Sequence, residues 1–357
     1  MESIILASAS PRRQEILKML NIPFQVIIPD VDESFDEKID LFKDFIKNHD
    51  FFYIIGHKEP DGDCVSSCLG IARIIEKFNK KYKLLSAGPF KKVEIKKFEP
   101  LFSTDMDFLS EQELKKTGLI ICDCSEISRL GDINGDFSGF DTFIIDHHKT
   151  SSDTESPSII DSLAPAASLI VQILYEKLIG KVDQKLAEIL FFGTMTDTGF
   201  FRFLNETSAN ALKAITRLIE AGANPRKTYD EMTSGKSFDS RKLLALHLNH
   251  AEKYLNGKLI ITHEKMEETK KFAQEGRDSD SLYQALLSIE NVEAVVFIRE
   301  DTESTCTAGF RSKDDVDVSK IAAKFGGGGH KNASGLSCQG RIETLIPKIV
   351  EEFSKVM

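Results

Sequence analysis

The stretch His57-Lys58-Glu59-Pro60-Asp61-Gly62-Asp63 constrains the fold of this chain more than any other. It follows Phe51-Phe52-Tyr53-Ile54-Ile55-Gly56, an apolar run of strand length and β-forming composition. It precedes residues 64–78, where Val65, Leu69, Ala72 and Ile75 recur at helical spacing. Three side chains able to hold a metal, His57, Asp61 and Asp63, therefore sit on a turn at the carboxyl end of a buried strand. Open α/β sheets place their ligands at that edge. Pro60 and Gly62 stiffen and sharpen the turn, so that the three side chains can converge. A plain surface turn would have the same composition, and the rest of the chain must decide between the two.

From Leu41 onward strand and helix patterns alternate. Strands are predicted over 51–56, 83–86, 119–123 and 142–146, with helices over 166–178, 184–196 and 209–221. Such alternation predicts an α/β fold with a parallel sheet covered on both faces. Residues 224–257 are charged and helical and read as a connector; its His247 and His250, with no acidic partner nearby, read as surface or packing residues. Further strands over 259–262, 294–298 and 305–310 predict a second, smaller α/β domain. Ahead of all this, residues 1 to about 35 read as a unit of their own: a strand at Ile4-Ile5-Leu6, a helix from Pro11 to about Leu20, and a strand over 24–28. The expected divisions are 1–40, 41–230, 231–257 (the connector) and 258–357.

A length of 357 residues suits about two domains, and 41% apolar with 29% charged residues is ordinary for a soluble globular chain. No run approaches the roughly 18 apolar residues of a membrane span, and the start does not read as a signal peptide. The net charge of -10 argues against long nucleic acid, duplex included, but allows a short anionic substrate where metals and a few cations supply the attraction. The six cysteines lack C-x-x-C pairs and disulfide-framework spacing, which suits reduced thiols in a cytoplasm. A homodimer is left open.

Three more segments carry ligand types. Leu119-Ile120-Ile121-Cys122-Asp123 is an apolar strand ending in a carboxylate, and Phe143-Ile144-Ile145-Asp146-His147-His148 is another. Gly193-Thr194-Met195-Thr196-Asp197-Thr198-Gly199 places an acid where a helix gives way to glycine. Taken singly, Asp123 could cap a helix, Asp146 could be a solvated strand end, and His147-His148 could be structural. Oxygen and imidazole donors without thiolates suit Mn²⁺ or Mg²⁺ better than structural Zn²⁺. Four carboxylates and two imidazoles exceed the needs of one ion and suit two ions sharing a carboxylate.

In these four segments the chain, from about Leu41 to Ser337, resembles the DHH phosphoesterase family, named for the triplet Asp146-His147-His148. The resemblance implies one cation on His57, Asp61 and Asp123, and a second on Asp63, Asp123, His147 and Asp197. It also implies Asp146 orienting His147, and His148 beside the attacking water or the scissile phosphate. Ser66-Ser67 stands where the family often has Gly-Ser, a departure that touches no ligand. The amino-terminal Ala7-Ser8-Ala9-Ser10-Pro11-Arg12-Arg13-Gln14-Glu15 resembles the opening signature of the Maf family of nucleotide pyrophosphatases, but the match stops near Asp32-Glu33 and reads as a fragment, not a complete catalytic unit.

Near the carboxyl terminus, Gly326-Gly327-Gly328-Gly329-His330 lets backbone approach an anion, although a flexible hinge has the same composition. Arg311 ends a predicted strand, where a guanidinium can grip a phosphate with two parallel hydrogen bonds. Both features are similar to the substrate domain of the family's oligoribonuclease branch, which implies that Arg311, His330 and the glycines hold nucleotide; the same branch is similar around Gly199-Phe200-Phe201-Arg202-Phe203, which implies that Arg202 reaches substrate. The implied activity is hydrolysis of oligoribonucleotides a few residues long, of adenosine 3′,5′-bisphosphate, or of linear or cyclic dinucleotide messengers. A regulator that binds nucleotides without turnover is the non-enzymatic alternative.

Overall fold

The computed structural model describes residues 4–6, 24–26, 33–107, 109–148, 156–272, 277–313 and 315–357. The chain divides into two compact units, Met1–Gly235 and Lys236–Met357.

In the first unit β1 (Ile4–Leu6) pairs in parallel with β2 (Phe24–Val26), with Ile4 opposite Phe24. The Maf-like signature at residues 7–15 and the helix predicted from Pro11 to Leu20 lie outside the described residues. The helix Glu33–Asn48 then buries Ile39, Phe42, Phe45 and Ile46, a stripe at helical spacing. The Phe42 and Phe45 rings meet Phe143 at centroid distances of 4.9 and 5.4 Å. The boundary expected at residue 40 therefore falls inside a helix seated on the core of the metal-domain sheet.

That sheet contains β3 (Phe51–Ile55), β4 (Lys81–Leu85), β5 (Thr117–Cys122), β6 (Asp141–Asp146) and β7 (Ser158–Ile160) in the order β4-β3-β5-β6-β7. Every pairing is parallel, as the strand–helix alternation predicts. All six residues of β5 are buried, because covering both faces of a parallel sheet favours a continuous apolar run over alternation. Phe52, Ile120 and Phe143 face one core; Tyr53, Leu119, Ile121 and Ile144 face the other. Since the strands run the same way, the residues following β3, β5 and β6 emerge at one edge.

Two helices over this sheet, Gly62–Lys77 and Gln184–Asp197, approach very closely. A Cβ on Gly62 would overlap the Thr196 side chain, and one on Gly193 would lie 2.5 Å from the Ser66 Cβ. Small residues at the crossing bring the start of one helix beside the end of the other.

The second unit has β8 (Glu252–Tyr254), β9 (Leu259–Glu264), β10 (Ala294–Glu300), β11 (Thr305–Ser312), β12 (Gly328–His330) and β13 (Ala333–Gln339) in the order β12-β13-β11-β10-β9-β8. β9 and β10 pair in parallel and the other pairs are antiparallel. Residues from Lys236 to Gly257, read from the sequence as connector, fold within this unit. Leu243 of the helix Phe238–Asn249 is buried, and Thr262 donates a 2.5 Å hydrogen bond to the His247 carbonyl. The expectation that His247 and His250 lack acidic partners is corrected. His247 Nε2 lies 3.0 Å from Glu264 and His250 Nε2 lies 3.5 Å from Glu268, neighbours that only the folded sheet supplies. Among the described residues no helix is long and apolar enough to cross a membrane.

Candidate metal centre

Gly56 carries the chain out of β3. A Cβ there would overlap Cys64 Sγ and stand 3.0 Å from the Cys122 carbonyl, so only glycine lets the chain pass. His57 follows, and its Nδ1 lies 2.8 Å from the Lys58 carbonyl. A carbonyl only accepts, so Nδ1 carries the proton and Nε2 presents its lone pair inward. Nε2 faces Asp123 Oδ2 at 3.6 Å and Asp61 Oδ1 at 3.9 Å. Asp61 also caps the helix Gly62–Lys77, its Oδ1 accepting the N–H groups of Asp63 and Cys64 at 3.1 Å each.

His147 repeats the pattern. Its Nδ1 donates to the Ala164 carbonyl at 3.3 Å, and Nε2 faces Asp123 Oδ1 and Asp197 Oδ2, both at 3.3 Å, with Asp63 Oδ2 at 3.9 Å. Asp63 is fully buried and accepts from the N–H groups of Ala167 and Ser168, at 2.6 and 2.9 Å, where the helix Ala167–Leu178 begins. Asp123 lies between the two imidazoles. Its φ of 57° is in the left-handed region, which costs a non-glycine residue energy but is best tolerated by Asp and Asn. That turn, with the Asp123 N–H bonded to the Ile145 carbonyl at 2.8 Å, swings the carboxylate out of the strand line and over the sheet edge.

Asp146 differs from its expected role. Its Oδ1 accepts from the backbone N–H groups of His147 and His148, at 2.8 and 3.2 Å, and from His148 Nδ1 at 2.7 Å. The ring it orients is thus His148, whereas the His147 ring is set by the Ala164 carbonyl. The cause is geometric: Asp146 is the last residue of β6, and a short carboxylate there reaches the ring two residues on. His148 is partly exposed and also sits 3.8 Å from Asp123 Oδ1.

The electrostatics of the cluster call for positive charge. Burial raises Asp63, as do the charges of Asp123 and Asp197. Burial likewise lifts Asp197 to about 6. Burial would lift Asp123 too, but the His147 and His57 rings beside it hold it at about 2. Burial opposes charging the His57 ring, yet Asp123 and Cys64 push it up to about 12; His147, similarly buried, is pushed up to about 10 by the surrounding carboxylates. With Nδ1 of each ring bonded to a carbonyl, each Nε2 faces the carboxylates, an arrangement that suits a cation between them. Among the described residues Asp123 Oδ1 is buried without a hydrogen-bond partner, a feature that fits a metal ligand. Three sets of donors among the described residues lie mutually within 4.8 Å: His57–Cys64–Asp123, Asp123–His147–His148 and Asp63–His147–Asp197. Asp123 joins the first set to the second, and His147 the second to the third.

Cys64 in the first of these sets is a donor that the sequence reading left out. Its signal was its place three residues after the Asp61 cap, which turns it toward the sheet end.

The substrate residues expected elsewhere are placed as follows. Arg202, on the turn after Asp197, donates its Nε to the Gly199 carbonyl at 3.0 Å and lies over the exposed Phe203 ring. In the second unit Arg311 stands over the Tyr283 ring, 4.8 Å from its centroid. Arg311 of β11 and His330 of β12 both pair with Ala333 of β13. Directly paired residues of antiparallel strands share a face, so Arg311 and His330 flank a small alanine across roughly 10 Å of sheet. Gly328 and Gly329 form an exposed edge strand with His330, and Gly326 and Gly329 take positive φ of 79° and 140°.

A model of the DHH family amino-terminal domain matches residues 51–194, and a model of the DHHA1 domain matches residues 261–357. A Maf-like model matches residues 3–47. The chain is 26% identical over 310 residues to a bifunctional oligoribonuclease and PAP phosphatase, NrnA, of Thermus thermophilus, covering 85% of this chain and 90% of the relative. It is also 26% identical over 297 residues to the NrnA protein of Bacillus subtilis, covering 82% of this chain and 90% of the relative. The crystal structure of an exopolyphosphatase-related protein from Bacteroides fragilis matches with a TM-score of 0.77 at 24% identity, covering 89% of this chain and 96% of that one.

Proposed function

The chain belongs to the DHH family by its DHH amino-terminal domain and its DHHA1 domain, and from that premise we propose that it hydrolyses phosphoester bonds in short oligoribonucleotides and in adenosine 3′,5′-bisphosphate. The observation that carries this reading is the buried, unpartnered Asp123 oxygen between two imidazoles whose lone pairs face carboxylates. The activities named for the two NrnA relatives, each matched over nine-tenths of its length, support the substrate class.

His57, Asp61 and Asp123 would hold one divalent cation, and Asp63, Asp123, His147 and Asp197 a second, with Asp123 common to both. The oxygen-rich second set suits Mn²⁺ or Mg²⁺. Bound there, the ions supply Lewis acidity and a water acidic enough to attack phosphorus.

The remaining work falls to side chains. The Lys58 and Ala164 carbonyls fix both ligand rings with Nε2 inward, so little reorganisation accompanies binding. Asp146 fixes the His148 ring with Nδ1 protonated and leaves Nε2 available to a phosphoryl oxygen or a leaving group. Arg202, on the turn that follows Asp197, is suited to a substrate phosphate. In the DHHA1 domain Arg311 and His330, with the glycine strand beside them, would take the terminal nucleotide's phosphate.

Product analysis with Mn²⁺ across RNAs of two to about ten residues, together with the bisphosphate, tests this reading. It requires preference for the shortest RNAs and loss of hydrolysis in Asp123→Ala; unchanged turnover in that variant would overturn it.

A further inference from the structure

The two ends of the centre differ in chemistry. The Asp63–His147–Asp197 set has only oxygen and nitrogen donors, whereas Cys64 Sγ lies within 4.8 Å of ligand atoms of both His57 and Asp123. Cys64 is buried, and the helix whose first turn carries it is pinned by the Asp61 cap. Cys68, one turn along the same helix, and Cys122, the residue before Asp123, are buried as well. A buried cysteine often acts as a small hydrophobe. Cys64 differs because an imidazole and a carboxylate stand beside it, with His57 Nε2 3.6 Å from Asp123 Oδ2. Donors on one tetrahedral ion stand about 3.5 Å apart when sulfur and nitrogen lie at their usual bond lengths. A movement of at most about 1.3 Å closes the set.

We propose that Cys64 is a sulfur ligand at the His57–Asp123 ion position, giving that position a preference for a borderline-soft divalent cation such as Zn²⁺ or Co²⁺ over Mg²⁺ or Mn²⁺. The inference rests on the two-ion reading above and adds to it an asymmetry between the ions. Sulfur and imidazole donors select Zn²⁺ and its neighbours, and carboxylates select Mg²⁺ and Mn²⁺. As the sulfur–metal bond forms, the thiol proton passes to solvent. Such a centre holds one ion of each class when both are supplied, and excess Zn²⁺ displaces the first ion before the second.

The test is a Co²⁺ titration of the full-length, metal-stripped chain under reducing, oxygen-free conditions, followed by optical absorption and metal analysis. The proposal expects two ions bound and a sulfur-to-Co²⁺ charge-transfer band that saturates with one of them. Cys64→Ser must lose that band while still binding two ions, with Zn²⁺ affinity at the first position lowered about tenfold or more, since even residues behind a ligand contribute that much. Cys68→Ser must keep the band. Two bound Co²⁺ ions without a band, or a band that survives Cys64→Ser, overturns the sulfur ligand and leaves the two-ion centre standing. Failure of the wild-type chain to bind Co²⁺ overturns both. X-ray absorption of the wild-type Zn²⁺ form reads the same sulfur without any variant, and a shell lacking sulfur overturns the proposal even where Cys64→Ser fails to fold.

Discussion

Gly62→Ala is a small change that should disable the centre without touching a ligand. Gly62 is the first residue of the helix Gly62–Lys77, between Asp61 and Asp63, and its φ is not in the left-handed region. By helix propensity alone, alanine would stabilise this position by up to about 1 kcal/mol. The packing opposes that gain. A Cβ at residue 62 would overlap Thr196 Oγ1 and stand 2.6 Å from Thr196 Cγ2 and 2.9 Å from its Cβ. Carbon atoms in contact rest at about 3.5–4.0 Å, so the two helices must part by roughly 1 Å. Overpacking of this kind costs about 1–3 kcal/mol, which exceeds the propensity gain. The displacement falls between Asp61 and Asp63 on one helix and Asp197 on the other, and a shift of about 1 Å in a reacting geometry costs on the order of a hundredfold in rate. Steady-state hydrolysis of a two-residue RNA should show that fall in kcat, with a lowered melting temperature. Thr196→Ala in the same chain removes Oγ1 and Cγ2 and should restore part of the rate. Wild-type kcat and ion content in Gly62→Ala would refute the claim that the helix crossing sets the ligand spacing.

Other outcomes follow from the same structure. Glu264, fully buried, bonds Arg277 at 2.7–3.0 Å and faces His247, so Glu264→Ala should cost about 3–5 kcal/mol in denaturant unfolding by leaving the cation unpaired. Burial would raise the Glu264 carboxyl, but His247, Arg277 and Thr269 hold it at about 2 against an ordinary 4.5. Its stabilising contribution is therefore complete above about pH 4.5 and is lost as pH falls through about 2; acid unfolding of Glu264→Gln should lack that component. Arg311→Ala should raise KM by roughly tenfold to a hundredfold, the worth of a charge-assisted hydrogen bond, with kcat nearly unchanged in initial-rate measurements. Chelation with EDTA should abolish hydrolysis, and adding back Mn²⁺ should restore it.

Much of the centre was legible because chemistry and pattern coincide in a parallel sheet. Covered strands read as unbroken apolar runs, and the polar residue closing each run, Asp123 or Asp146, marks the ligand edge. What escaped the sequence depends on distant chain segments. The acid facing His247 is Glu264, seventeen positions along, and only the packing of the helix Phe238–Asn249 on β9 brings them together. The carbonyl orienting His147 belongs to Ala164, a residue whose side chain says nothing about its backbone. The strand β7 is three residues long, too short for periodicity to declare itself. The glycine run reads as a loop by composition, yet Gly328–His330 pairs with Ala333–Gly335 as an edge strand. Cys64 escaped for another reason, since its place three residues after Asp61 marks it only once Asp61 is known to cap the helix Gly62–Lys77.

Everything turns on Asp123 serving two cations at once. The most direct measurement is electron paramagnetic resonance of the Mn²⁺-loaded chain, paired with metal analysis. A shared carboxylate predicts two Mn²⁺ per chain with an exchange-coupled spectrum that collapses in Asp123→Asn. One ion per chain, or two ions with independent spectra, would contradict it.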